Sequence, residues 1–308
     1  MIQKIEFRAM GCHMLAALDA EQDVSSALEL VPGWFEEWEQ ALSRFRPDSE
    51  LSRLNRANGD GFQVSPVLWQ VLKLSLRTEK ESGGLITPLV LDALETAGYS
   101  RSFDRLGAAP QDFGLDTLRM GIVDEIIMEE RTHTVQLPEG MRLDLGGVAK
   151  GWAAQQAMLK LKKWGPALMD SGGDIATSGP LLNGSPWQVA VADPAADKPA
   201  AALIGLSGQG VATSGQDYRR WLSGGVWQHH LIDARTGMPS QTDVLTATVI
   251  APTVVEAEAA AKQVFFLGGR DGLVWVETRP QLSALIQLFN GEQLRSSTFE
   301  SALWRSEL

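Results

Sequence analysis

One cysteine, Cys12, is all that this chain of 308 residues holds, so no internal disulfide framework and no multi-cysteine metal site can form. Histidine is scarce as well, at four residues. No apolar run is long enough to cross a bilayer, and the first two dozen or so residues lack the continuous apolar segment of a secretory leader. Those absences lead to the expectation of a cytoplasmic protein without membrane insertion, a leader removed beforehand being the alternative. Positive charge is in deficit: 27 Lys and Arg against 38 Asp and Glu leave a net charge of −11. That balance argues against nucleic acid or an anionic membrane as the main partner. Two phosphate-binding fingerprints, GxGxxG and GxxxxGK[ST], are missing too. Their absence removes the two commonest nucleotide folds, though not nucleotide binding itself.

What remains is an ordinary globular composition, 44% hydrophobic and 21% charged, in a chain long enough for one large domain or two lobes. Residues 142–179, RLDLGGVAKGWAAQQAMLKLKKWGPALMDSGGDIATSG, are the most informative stretch. A short apolar strand ends in Asp144 and the pair Gly146-Gly147, a helix follows, and a second strand ends in Asp170-Ser171-Gly172-Gly173-Asp174. Glycines let a backbone approach a ligand closely, and a helix start after them offers free N–H groups to an anion. Two tight turns in an α/β segment are the plain alternative.

Elsewhere, strands are expected at 2–7, 13–18, 125–129, 134–137, 186–192, 203–206, 210–213, 226–232, 245–250, 274–278 and 283–290. Helical spacing covers 24–42, with Pro32-Gly33 as a break, and 254–267, stopped by Gly268-Gly269. Asp48 or Ser49 can cap a short helix, and Ser65-Pro66 opens another that Gly83-Gly84 ends. Residues 101–120 carry the weakest pattern and read as surface, and 193–199 read as a polar loop. Strands interleaved with helices, without a regular βαβ rhythm, indicate an α+β fold or a mixed sheet.

Six short motifs occur in order: Met10-Gly11, the run SRFRPDSELSRLN over 43–55, DLGGVAKG over 144–151 with Trp152, GGDI over 172–175, ATSG over 212–215 and HLIDARTGMP over 230–239. Together the chain resembles the ApbE family of FAD:protein FMN transferases, over most of its length. The resemblance implies an α+β, two-lobed fold with mixed, largely antiparallel sheets flanked by helices, as a helical lobe of about 1–138 and a sheet-rich lobe of about 139–308. It also implies FAD as substrate and transfer of FMN to a Ser or Thr of an acceptor protein, with release of AMP. A magnesium ion takes part in the family's reaction.

Carried over by motif, Met10 and Phe45 line the flavin or adenine pocket, and Gly84, Leu85 and Ile86 form a loop touching FAD. Asp144 hydrogen-bonds the cofactor, Gly147 offers a backbone carbonyl to the metal, and Lys150 lies near the nucleotide. His230 orients or deprotonates the attacking hydroxyl, being titratable near neutral pH. Plain alternatives stand beside these: Met10 as core filler, Asp144 as a turn cap, His230 as a structural histidine of a strand, Asp233 and Arg235 as a mutual pair, Trp187 as core.

The departures fall at ligand-facing motifs. Cys12 replaces a Thr, Ile86 stands where an Asp is usual, and Gln216 is an extra residue. Counting back from Phe265-Phe266-Leu267-Gly268, the family's metal-binding Asp and Thr become Glu258 and Lys262. An ammonium has no lone pair for a cation, so magnesium is in question. Lys262 could replace the metal's charge, steered by Glu258, or a metal could bind at a shifted site using Glu256. Read plainly, Glu258 and Lys262 are a helix-surface i,i+4 pair, stabilising by about 0.2–0.5 kcal/mol. A transferase, a protein that binds FAD with little chemistry, and an FAD hydrolase yielding FMN and AMP are the three functions left open.

Overall fold

Residues Val244–Ala251, VLTATVIA, hold no charged side chain and form a strand that is buried at every position. A strand buried on both faces reads as a continuous apolar run rather than an alternation. Its threonines enter the interior with partners: Thr248 Oγ1 meets Thr213 Oγ1 at 2.8 Å, and Thr246 Oγ1 donates to Gln287 Oε1 at 2.8 Å. In this computed structural model, which describes residues 1–103, 106, 121–194, 200–223 and 225–304, that strand lies inside an eight-stranded sheet. The order is Ile2–Ala9, Cys12–Asp19, Ala167–Ser171, Ile175–Thr177, Gly210–Gly215, Val244–Ala251, Ser283–Leu288 and Gln293–Arg295. Every strand pairing among the described residues is antiparallel, so the expected α+β class holds and the parallel pairs of a mixed sheet are not among them.

The chain divides into two units that interleave in sequence. One comprises Met1–Trp34, Lys150–Asp217 and Thr242–Leu308, and the other Phe35–Ala149 and Tyr218–Gln241. The hairpin of Ile2–Ala9 and Cys12–Asp19, expected in an N-terminal helical lobe, is therefore part of the sheet unit.

In the sheet unit, helix Val254–Leu267 packs on the Gly210–Gly215 and Val244–Ala251 strands. Thr253 caps it by accepting the Glu256 N–H, and Gly268, at φ 89°, closes it. The apolar run 274–278, expected as a strand, instead ends helix Gly269–Glu277, with Thr278 as its C-cap. Its buried residues Gly269, Gly272 and Val276 recur at helical spacing, and a short apolar run does not by itself distinguish the two states. The hairpin Trp187–Val191 with Ala202–Leu206 places Trp187 in the core, its Nε1 donating to the Gly179 carbonyl at 3.0 Å.

The second unit follows its caps closely. Ser49 accepts the Ser52 N–H at the start of Glu50–Leu54, and Ser65 accepts that of Leu68 at the start of Pro66–Glu81. The helical pattern at 24–42, which belongs to the sheet unit up to Trp34 and to the second unit from Phe35, breaks before Val31 rather than at Pro32, giving Ser25–Leu28 and Val31–Leu42. Proline fits the first turn, where its missing N–H has no helical partner. The expected strand at 125–129 shortens to Ile127–Glu129 after a 3₁₀ turn at Val123–Glu125. That at 226–232 splits into Val226–His229 and Ile232–Asp233. Residues 141–145 form no strand; the Leu143 backbone is bonded by a side chain, as described below. Most of the weakly patterned 101–120 segment and of the 193–199 loop lies outside the described residues. Among the described residues no helix is long and apolar enough to cross a membrane.

Candidate functional site

In the sheet unit, strand Ala167–Ser171 turns through Gly172-Gly173-Asp174 and returns as Ile175–Thr177. Asp170 Oδ1 accepts the Gly173 N–H at 2.7 Å and so shapes the turn. Gly172 has φ 69°, and a Cβ there would lie 2.7 Å from that of Cys12, so the turn requires glycine. Burial pushes the Asp170 carboxyl up, against the Gly173 hydrogen bond and the nearby Lys150 charge. Asp174 ends buried, and its Oδ2 pairs with Lys150 Nζ.

Lys150 lies in the first turn of helix Ala149–Leu161, and its Nζ is also 3.7 Å from Glu258 Oε1. Lys262 Nζ stands 3.0 Å from the same oxygen, while Glu258 Oε2 accepts the Gly151 N–H at 3.0 Å. A Cβ on residue 151 would meet that oxygen at 2.5 Å, so glycine lets the carboxylate dock on the helix where it stands. The chain Lys262–Glu258–Lys150–Asp174 therefore joins two helices to the glycine turn. The Glu258 side chain is 3% exposed and that of Lys262 12%, so this is no helix-surface pair. Burial drives the Glu258 carboxyl up most strongly; the Lys262 and Lys150 charges act to lower it, and Asp174 adds to the rise.

A magnesium ion takes oxygen ligands in near-octahedral array, and this donor set does not fit it. Both oxygens of Glu258 are engaged, one by ammonium and one by an amide. Glu256, two residues along and exposed, belongs to another face of the helix. Among the described residues no three His, Cys, Asp or Glu side chains converge as a metal-binding group.

In the second unit, Asp144 Oδ2 lies 2.6 Å from Arg44 Nε, and its Oδ1 accepts the Gly146 N–H at 2.8 Å. Arg44 is clamped in turn: its guanidinium sits 4.1 Å from the Phe45 ring centre and 4.7 Å from that of Tyr99, and Nη2 donates to the Tyr99 carbonyl at 2.7 Å. Tyr99 continues the stack to Trp221 at 5.2 Å. Phe45 keeps 38% of its surface exposed and so offers a ring face. Asn55, which closes the 43–55 motif, donates to the Leu143 carbonyl and accepts the Leu143 N–H, both at 2.9 Å. That amide pair satisfies the Leu143 backbone without a neighbouring strand.

Of the two adjacent histidines, His229 is buried with Nε2 2.9 Å from the Ser240 carbonyl and Nδ1 accepting the Leu231 N–H. These contacts fix a neutral tautomer, and burial lowers its basicity. His230, half-buried, follows just beyond the strand. Burial would raise the Asp233 carboxyl, yet its hydrogen bonds from Arg235 outweigh that and hold it low. This is the mutual pair that stood as the plain alternative for these two residues.

Of the other expected site residues, Met10 occupies the turn before Cys12–Asp19 at φ 48°. Gly84 and Leu85 are half-buried, whereas Ile86 is buried with its N–H donated to Ser82 Oγ at 3.0 Å. Gly147 is half-buried two residues before helix Ala149–Leu161. Lys150, Glu258 and Lys262 come together, joined by Asp174, and Asp144 and Phe45 are linked through Arg44. Arg44, Asn55, Tyr99 and Asp174 were not singled out as site residues. Arg44 and Asn55 lie within the 43–55 motif and could have been found there; Tyr99 carries no sequence signal.

A family model described as the ApbE family matches residues 10–286. An FAD:protein FMN transferase of Treponema pallidum is 31% identical over 295 residues, spanning 89% of this chain and 80% of that protein. One from Haemophilus influenzae is 29% identical over 271 residues, spanning 83% and 77%. Among solved structures, the ApbE protein of Thermotoga maritima superposes with a TM-score of 0.89 at 23% identity, covering 99% of this chain and 100% of that one. The flavin transferase ApbE of Vibrio cholerae does so with 0.81 at 22%, covering 98% and 100%.

Proposed function

The chain belongs to the ApbE family, and on that premise we propose that it is an FAD:protein FMN transferase acting on a Ser or Thr of an acceptor protein. The observation that carries this reading is the match to relatives of that name across most of both chains. In the proposed reaction the acceptor hydroxyl oxygen attacks the phosphorus on the FMN side of the FAD pyrophosphate. A new P–O bond forms, the bond to the bridging oxygen breaks, and AMP leaves with that oxygen. The hydroxyl proton passes to His230. His230 is assigned this role by the motif over 230–239; its neighbour His229 bonds Ser240 and Leu231.

Phosphoryl transfer depends on positioning and charge neutralisation more than on covalent chemistry. Lys150, anchored on Asp174 and Glu258, supports a role in neutralising phosphate charge. The exposed face of Phe45, stiffened by Arg44, supports stacking on a ring of the dinucleotide. Met10, Gly84, Leu85 and Ile86 are assigned to the FAD pocket by motif. The Arg44 pairing supports a positioning role for Asp144, acting through the loop, rather than a direct bond to the cofactor.

The test is to incubate the protein with FAD and a small acceptor domain carrying a single reactive Thr. Covalent flavin fluorescence on the denatured acceptor, with AMP released in equal amount, is expected. His230→Ala should lower the rate by about 10²–10⁴-fold, the range for a general base. Tight FAD binding with no AMP would leave an ApbE-like binding protein. FMN and AMP released without acceptor labelling would make it a hydrolase.

A further inference from the structure

The helix Val254–Leu267 offers its site a cation of its own. Glu258 cannot release one of its oxygens without stranding a buried group: Oε1 holds Lys262 and lies within reach of Lys150, and Oε2 receives the Gly151 N–H. A divalent ion at this carboxylate would sit against two ammonium groups, neither with a lone pair to offer. The same two lysines keep part of their length exposed, 18% for Lys150 and 12% for Lys262, while the carboxylates that hold them are almost wholly buried. The two lysine side chains are thus less deeply buried than the carboxylates that hold them, and a cationic side chain near a binding cleft favours an anionic ligand.

We propose that Lys262, fixed by Glu258, supplies the positive charge that a divalent metal would bring, so that the protein binds FAD without a metal. The FAD part rests on the transferase reading above; the exclusion of a divalent ion from Glu258 does not. Gly151 is a positioning residue in this arrangement, because its lack of a side chain admits the Glu258 carboxylate.

Two measurements on the purified full chain test the proposal. In the first, FAD binding is followed by flavin fluorescence in magnesium chloride and in EDTA. Dissociation constants within about twofold of each other are expected, and a constant at least tenfold weaker in EDTA would overturn the proposal. In the second, manganese alone is titrated into the protein and the free-ion EPR signal is recorded. The wild-type chain should leave that signal undiminished, whereas stoichiometric loss of signal would overturn the assignment. Lys262→Thr, checked for folding by circular dichroism, should gain manganese binding and make FAD binding magnesium-dependent by about tenfold or more. If it gains neither, Lys262 does not occupy a cation's place. Should FAD bind under no condition, the transferase reading fails, and the manganese titration still decides what Lys262 excludes.

Discussion

At the scale of single residues, the buried ionisable groups set how stability depends on conditions. His229 has its basicity lowered below the ordinary value of 6.5, by burial above all, although the Ser240 carbonyl acts the other way. A group with a depressed folded-state pKa favours the folded state above its unfolded value and loses that contribution as pH falls. The stability that wild type holds over His229→Gln should therefore be full at pH 7.5 and shrink as the pH falls through 6.5 and below. Urea unfolding at several pH values measures the difference, and a constant gap would refute the assignment. Glu258 makes a harsher case. Removing one partner of a buried ion pair costs about 3–5 kcal/mol, so Glu258→Gln should lose stability on that scale, with Lys262 and Lys150 left facing an amide. Glu258→Gln combined with Lys262→Met should recover much of the loss; a double variant as unstable as the single one would show that Lys262 is not the stranded charge. How far these groups could be read in sequence varied with the distance to their partners. Glu258 and Lys262 are one helical turn apart, and counting places them together. Arg44 and Asp144 meet only through the fold, and burial, which turns a routine pair into a buried network, has no local signature in the sequence.

At the scale of elements, the most instructive join is helix Ala149–Leu161 against helix Val254–Leu267. Alanine is a better helix former than glycine by about 1 kcal/mol, so propensity alone favours Gly151→Ala. Its Cβ, however, would stand 2.5 Å from Glu258 Oε2 and 3.3 Å from the Val254 carbonyl oxygen. Overpacking of this kind typically costs about 1–3 kcal/mol, and the Gly151 N–H bond would be disturbed as well. Gly151→Ala is expected to lower the thermal midpoint, whereas a stabilised variant would show that the carboxylate moves freely. Elements with a local chemical start or stop were the legible ones: Ser49 and Ser65 each cap the helix their sequence announced, and Gly268 closes the one over 254–267. Misread elements lacked such a mark. Helix Gly269–Glu277 has no side-chain cap, and its valines and tryptophan match strand propensity until tertiary packing against Val264 decides. The strand expected at 142–144 failed for the opposite reason: Leu143 bonds the Asn55 side chain and the Asp144 N–H goes to the Pro88 carbonyl, neither of them a neighbouring strand.

At the scale of the whole molecule, the α+β class was legible because strands and helices alternate without a βαβ rhythm, and the family followed from six ordered motifs. The interleaving of the two units was not legible, since it depends on pairings between distant segments. The sheet unit draws on three separate stretches of chain, and its strand Ala167–Ser171 pairs on one side with Cys12–Asp19. Leu18 partners Ala167 and Ala16 partners Met169 along that ladder, and all four side chains are buried. A fragment starting at Lys150 would keep the later strands and both helices that carry Glu258 and Lys150, yet lose the hairpin of Ile2–Ala9 and Cys12–Asp19. Ala167–Ser171 would then become an exposed apolar edge with unpaired N–H and C=O groups, a template for pairing with other chains. The 150–308 fragment is accordingly expected to aggregate on expression, and adding residues 1–34 as a separate chain should recover soluble material by restoring the ladder. A fragment that is soluble and monomeric alone, with the far-ultraviolet spectrum of a folded sheet, would show that the hairpin is an accessory to this unit and not one of its structural strands.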